Sequence, residues 1–91
     1  MKAFGDLHQT AMTDGALSRV EKELMALAIS VCIHCDDCIV VHVHGAIRAG
    51  ATDDQLVEAI GTAIVMGGGP ATMYAAEALR AIEQFRAGAA S

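Results

Sequence analysis

Apolar residues return every three to four positions through most of this chain, and each stretch in which they do so is bounded by recognisable helix signals. Phe4, Leu7, Ala11 and Met12 carry the first stretch, predicting a short packing helix from Met1 to about Met12 that closes at Thr13-Asp14-Gly15. Val20, Leu24, Leu27 and Val31 carry the second. It is preceded by Ser18 and Glu21 in capping-box register, where hydroxyl and carboxylate each satisfy a backbone N–H that the first helical turn leaves unpaired. A helix from about Ser18 to Ile33 follows from that pattern.

No glycine or proline marks the passage from Ile33 into the next stretch, so periodicity alone leaves two readings, one continuous helix or a break between His34 and Asp37. The Asp36-Asp37 pair suits a first helical turn, where carboxylates face the positive end of the helix dipole, and a break is the expectation. From Cys38 the helix should run through Val41, Gly45 and Ile47 to Ala49, with Gly50 as the left-handed residue beyond its end. Thr52 and Gln55 form a second capping box, opening a helix that carries Leu56, Ile60, Ala63 and Ile64 and stops at Gly67-Gly68-Gly69-Pro70. A last helix is predicted from Pro70 to about Phe85, with Met73, Ala76, Leu79, Ile82 and Phe85 as its apolar stripe, and residues Arg86 to Ser91 should fray. Nowhere does the period-two alternation of a half-buried strand occur. The expected fold is all-α, about five helices, in a single domain over residues 1–91.

Composition sharpens this picture in two respects. The chain is 54% hydrophobic yet has one Tyr, two Phe and no Trp, and its apolar content leans on eighteen alanines, which suits closely packed helices. A 91-residue domain buries only about 60–65% of the surface its unfolded chain exposes, and the surplus of apolar residues is read as a subunit interface. A bilayer is not the expected partner, because Glu23, Asp36 and Asp37 bracket the longest apolar run, well short of the ~20 residues a span needs. A net charge of −5 argues against nucleic acid. Three cysteines cannot close a disulfide framework, and no basic-then-apolar leader is recognisable, so reduced thiols in the cytoplasm are expected. The Gly67–Gly69 run lacks the Lys-Ser/Thr of a phosphate loop.

Candidate chemistry gathers in Cys35-Asp36-Asp37-Cys38-Ile39-Val40-Val41-His42. At helical spacing Cys35, Cys38 and His42 share roughly 60° of arc, two thiols and a base on one face. A cysteine attacks as thiolate, and His42, one turn after Cys38, is spaced to take its proton; Cys35 could then close a disulfide and resolve a sulfenic acid, with an external dithiol completing the cycle. Cys32, between Val31 and Ile33, reads as a packed side chain, and His34 and His44 as solvent-facing or structural. Cys32, Cys35, Cys38 and His42 could alternatively ligate a metal, although four ligands this close need loop freedom that helices deny. Glu23, beside Arg19 on its helix, reads from spacing as half of a solvated ion pair.

With these residues in view, the chain resembles the AhpD-like alkylhydroperoxidase group of the carboxymuconolactone decarboxylase family. The carriers are Glu-x11-Cys-x-x-Cys-x-x-x-His, met by Glu23, Cys35, Cys38 and His42, then the Gly50-Ala51 helix stop and Gly67-Gly68-Gly69-Pro70-Ala71. The resemblance implies an all-helical oligomer, a trimer or hexamer, in which Cys38 attacks a hydroperoxide, Cys35 resolves, and His42 with Glu23 relays the proton. It implies no bound cofactor, and a thioredoxin-like or lipoyl dithiol as reductant. Two departures stand out: the chain is single-length, and Asp37 occupies the position before the second cysteine, where the double-length members carry His. The decarboxylase branch, acting on a small lactone, typically lacks the cysteine pair.

Overall fold

The computed structural model describes residues 1–90, with side chains through Gly88, and contains five α-helices: α1 (Lys2–Met12), α2 (Arg19–Cys32), α3 (Asp36–Arg48), α4 (Asp53–Gly67) and α5 (Ala71–Ala90). Both capping boxes form. Ser18 accepts from the Glu21 N–H at 3.1 Å while the Glu21 carboxylate accepts from the Ser18 N–H at 2.8 Å, and Thr52 and Gln55 repeat the exchange at α4. Gly50, at φ 105°, ends α3 in the conformation that only glycine adopts freely.

The core is built from one face of each of the four later helices. Leu27 and Val31 of α2 meet Ile39 and Val43 of α3 and Leu56 and Ile60 of α4, all essentially removed from solvent. Against this layer α5 presents alanines: Ala71, Ala75, Ala78 and Ala81 are buried together with Ile82. The sequence-predicted stripe on α5 is therefore corrected, since Met73 and Leu79 lie exposed on the outside. Small side chains on the inner face let α5 approach its neighbours closely, and the bulky ones are left facing out.

Two further expectations are revised. Residues Arg86 to Ala90 continue α5 instead of fraying: Ala87, Ala89 and Ala90 are strong helix formers, and Arg86 is tied to Asp53 of α4 at 2.7 Å. Ser91 lies outside the described residues. At the other end, α1 forms but buries none of its residues within the chain; Phe4 and Leu7 are each 63% exposed. No helix among the described residues is long and apolar enough to cross a membrane.

Candidate functional site

The site starts where α2 stops. Ile33 closes that helix, His34 turns left-handed at φ 60°, and the N–H groups of His34 and Cys35 bond back to the carbonyls of Val31 (3.3 Å) and Ser30 (3.1 Å). These two bonds are the Schellman pattern that normally carries glycine at its left-handed position. The break expected between His34 and Asp37 is thus present, and it makes Cys35 the N-cap of α3. Cys35 Sγ accepts from the Cys38 N–H at 3.3 Å, as a serine hydroxyl would at that position.

Cys35 and Cys38 are joined in a disulfide, with Cα atoms 5.2 Å apart. One turn further along α3, His42 is half-buried, and its Nδ1 lies 2.8 Å from Oε1 of Glu23 on α2. Glu23 is only 2% exposed, so the solvated Arg19–Glu23 pair that spacing suggests does not form. A carboxylate withdrawn from water costs several kcal/mol unless a charge-assisted hydrogen bond compensates it. His42 supplies that bond, and among the described residues no buried side-chain nitrogen or oxygen lacks a partner.

The four residues singled out from the sequence thus form two neighbouring pairs along α3, the disulfide in its first turn and, one turn further on, His42 bonded across to Glu23 of α2. Cys32 points elsewhere, its Sγ donating to the Ala63 carbonyl of α4 at 3.3 Å. The described residues gather no cluster of three His, Cys, Asp or Glu side chains arranged to hold a metal ion. His34 stacks on Tyr74 and His44 tilts against Phe85, consistent with structural roles.

Two contributors went unnoticed in the sequence. His8 of α1 lays its ring nearly parallel to that of His42, centroids 6.1 Å apart, so α1 roofs the histidine. Nothing in the one-dimensional pattern links the two. Gly45 leaves the room that Glu23 occupies: a Cβ there would fall 2.5–2.8 Å from the carboxylate atoms. Its signal was a glycine inside an uninterrupted helical pattern, a costly choice that implies a packing reason.

The family model for carboxymuconolactone decarboxylases matches residues 1–81. The chain belongs to the carboxymuconolactone decarboxylase family. A family crystal structure from Legionella pneumophila, in its apo form, is 47% identical and superposes with a TM-score of 0.89, covering 93% of this chain and 76% of that one. A family member from Thermotoga maritima, suggested to be involved in antioxidative response, is 34% identical with a TM-score of 0.87 over 93% and 88% of the two chains. An uncharacterized protein of Cupriavidus necator is 46% identical over 79 residues, 87% of this chain and 70% of its own. The five-helix architecture is thus that of carboxymuconolactone decarboxylase family proteins, and this member carries a Cys-x-x-Cys disulfide at the start of α3.

Proposed function

We propose that this family member is a cytoplasmic, homo-oligomeric thiol peroxidase or disulfide reductase, in which Cys38 attacks a hydroperoxide and Cys35 resolves the product. The observation that carries this reading is the pairing of a buried carboxylate with a half-buried imidazole. Glu23 and His42 come from different helices, meet at 2.8 Å, and stand one turn from a redox-capable cysteine pair. Structure alone gains little from burying such a pair, whereas a proton relay requires it. The suggested antioxidative role of the Thermotoga maritima protein points the same way.

In the proposed cycle the reduced Cys38 thiol passes its proton to His42, whose other ring nitrogen is held by Glu23. The thiolate attacks one peroxide oxygen; the O–O bond breaks, Cys38 becomes a sulfenic acid, and the departing alkoxide recovers the proton from His42 as an alcohol. Cys35, as thiolate at the N-terminus of α3, then attacks the Cys38 sulfur, and the hydroxide leaves with a proton as water. The disulfide is reduced by an external dithiol, thioredoxin-like or lipoyl, which itself becomes a disulfide. Attack on Cys38 expels Cys35, whose thiolate the Cys38 N–H stabilises as leaving group. The sum is one hydroperoxide and one dithiol converted to alcohol, water and disulfide. Asp37, exposed in the first turn of α3, places a negative charge beside the nucleophile and tempers its rate.

A Cys38→Ser variant should lose hydroperoxide-dependent oxidation of a dithiol donor. In Cys35→Ser given one equivalent of hydroperoxide, Cys38 should be oxidised faster than free cysteine; equal rates would end the peroxidase reading. Lactone turnover that survives Cys38→Ser would put a decarboxylase in its place.

A further inference from the structure

His34 is the sole non-glycine residue with positive φ among those described, and it occupies the left-handed position that closes α2. A β-carbon there is crowded against the following carbonyl, so a side chain pays for the left-handed turn where glycine does not. Glycine would avoid that cost, as Gly50 does at the equivalent position after α3, where the same two bonds recur from Gly50 to Ile47 and from Ala51 to Ala46. The histidine is retained with its ring laid flat on Tyr74 of α5, centroids 4.3 Å apart and planes 4° apart. The next residue in the chain is Cys35.

We propose that Tyr74 is a positioning residue for the Cys35–Cys38 pair, acting through His34 to hold Cys35 in the place that the disulfide requires. The stack braces the turn whose second bond runs from the Cys35 N–H to the Ser30 carbonyl, and so holds the backbone that carries one sulfur of the disulfide. The disulfide restricts Cys35 to one position, whereas a reduced Cys35 is free to leave it. Whatever fixes the turn therefore favours the oxidised form, and by linkage the disulfide in turn favours the stack. An aromatic contact of this kind is enough to move a dithiol–disulfide equilibrium by roughly twofold to tenfold. Loss of the ring contact should make the pair easier to reduce, with two electrons and two protons from the dithiol converting the disulfide to two thiols. The proposal deepens the redox reading of the site but needs only the dithiol–disulfide couple, not hydroperoxide turnover.

The chain offers its own reporter, since Tyr74 is its one tyrosine and tryptophan is absent. The test is a redox titration of the full-length protein against defined ratios of reduced and oxidised dithiothreitol, following thiol content and tyrosine emission together. In wild type, reduction should change Tyr74 emission with the same midpoint as the thiols. Tyr74→Phe, which keeps the ring, should retain the wild-type potential. Tyr74→Leu and His34→Ala should each raise it, by about 30 mV for a tenfold fall in the disulfide equilibrium constant. The two changes together should do no more than either alone. His34→Ala is the decisive variant, because it removes the ring while keeping a β-carbon, and so the backbone cost, at the left-handed position. In His34→Ala the redox-linked change in tyrosine emission should also vanish. Potentials unchanged in both His34→Ala and Tyr74→Leu, or Tyr74 emission indifferent to reduction, would overturn the proposal. Failure of Cys38 to react with hydroperoxide would leave these potentials untouched and count only against the peroxidase reading.

Discussion

The Glu23 carboxylate occupies the space that a side chain on Gly45 would otherwise take. A Cβ on Gly45 would approach Oε2 to 2.5 Å, Cδ to 2.7 Å and Oε1 to 2.8 Å, and real Cβ atoms do not come that close. Gly45→Ala should therefore push the carboxylate off His42 Nδ1 while adding about 1 kcal/mol of helix propensity to α3. The expected result is a fall in dithiol peroxidase turnover of about 10–100-fold, the scale on which a group orienting another acts, matched by Glu23→Gln. Because both changes remove one interaction, the double variant should be no slower than either single variant, which steady-state kinetics can establish. The cysteines and His42 were legible in the sequence because their chemistry is local: three positions on one face of one helix. Glu23 was not legible from spacing. Its partner lies nineteen residues away, and on its own helix it stands next to Arg19, where a surface ion pair is the simpler reading. Only the family pattern singled it out.

Helix boundaries here rest on caps, and one cap carries a pH dependence. The Ser18 backbone N–H bonded to the Glu21 carboxylate, aided by the Ser18 hydroxyl, holds the Glu21 pKa below its usual 4.5. A carboxyl whose folded pKa is depressed contributes stability that is complete above its unfolded pKa and is lost as pH falls through the lower, folded value. Urea unfolding at falling pH, from about 6 into the acid range, should thus show wild type losing an increment that Glu21→Gln lacks. At neutral pH, Ser18→Ala should cost about 1 kcal/mol. Such caps are written in four consecutive residues, which is why α2 and α4 could be placed from the sequence to within a residue or two. The α2–α3 break was harder. Its left-handed position holds His34, not glycine, and what keeps the turn there is a ring on α5, forty residues along the chain. The inner face of α5 was misassigned for a related reason: periodicity weights large apolar residues, but close packing selected the alanines. Only the partners of a helix decide which of its faces is covered.

The molecule as a whole leaves much apolar surface uncovered for a chain of 91 residues. Val65, Met66 and Met73 are each more than 70% exposed, and Phe4 and Leu7 of α1 meet no core. Between α2 and α4, Met25, Ala28, Ile29, Cys32, Ala63 and Met66 line an open, mainly apolar groove of about 410 Å³ together with Thr62, whose hydroxyl donates to the Glu58 carbonyl of its own helix. Scattered exposed leucines need no explanation, but a continuous apolar trough flanked by exposed Met66 and Ile29 does, and a second copy of this chain would cover it. Alanine-rich faces add little hydrophobic driving force per residue, and in the oligomer proposed above association would supply what the core of one chain lacks. Stability should then depend on protein concentration, with the melting temperature rising as the protein is concentrated, in the manner of any assembly whose subunits bind only when folded. Sedimentation equilibrium should give a mass that is a multiple of 9.4 kDa, a trimer or hexamer by the family resemblance. Ile29→Asp and Met66→Asp, both at exposed positions that a folded monomer tolerates, should shift that mass toward one subunit and remove the concentration dependence of melting. Their unfolding at high dilution should match wild type at high dilution, because the contacts removed lie between chains. A wild-type mass of 9.4 kDa across the accessible concentration range would leave the groove without a second copy to fill it.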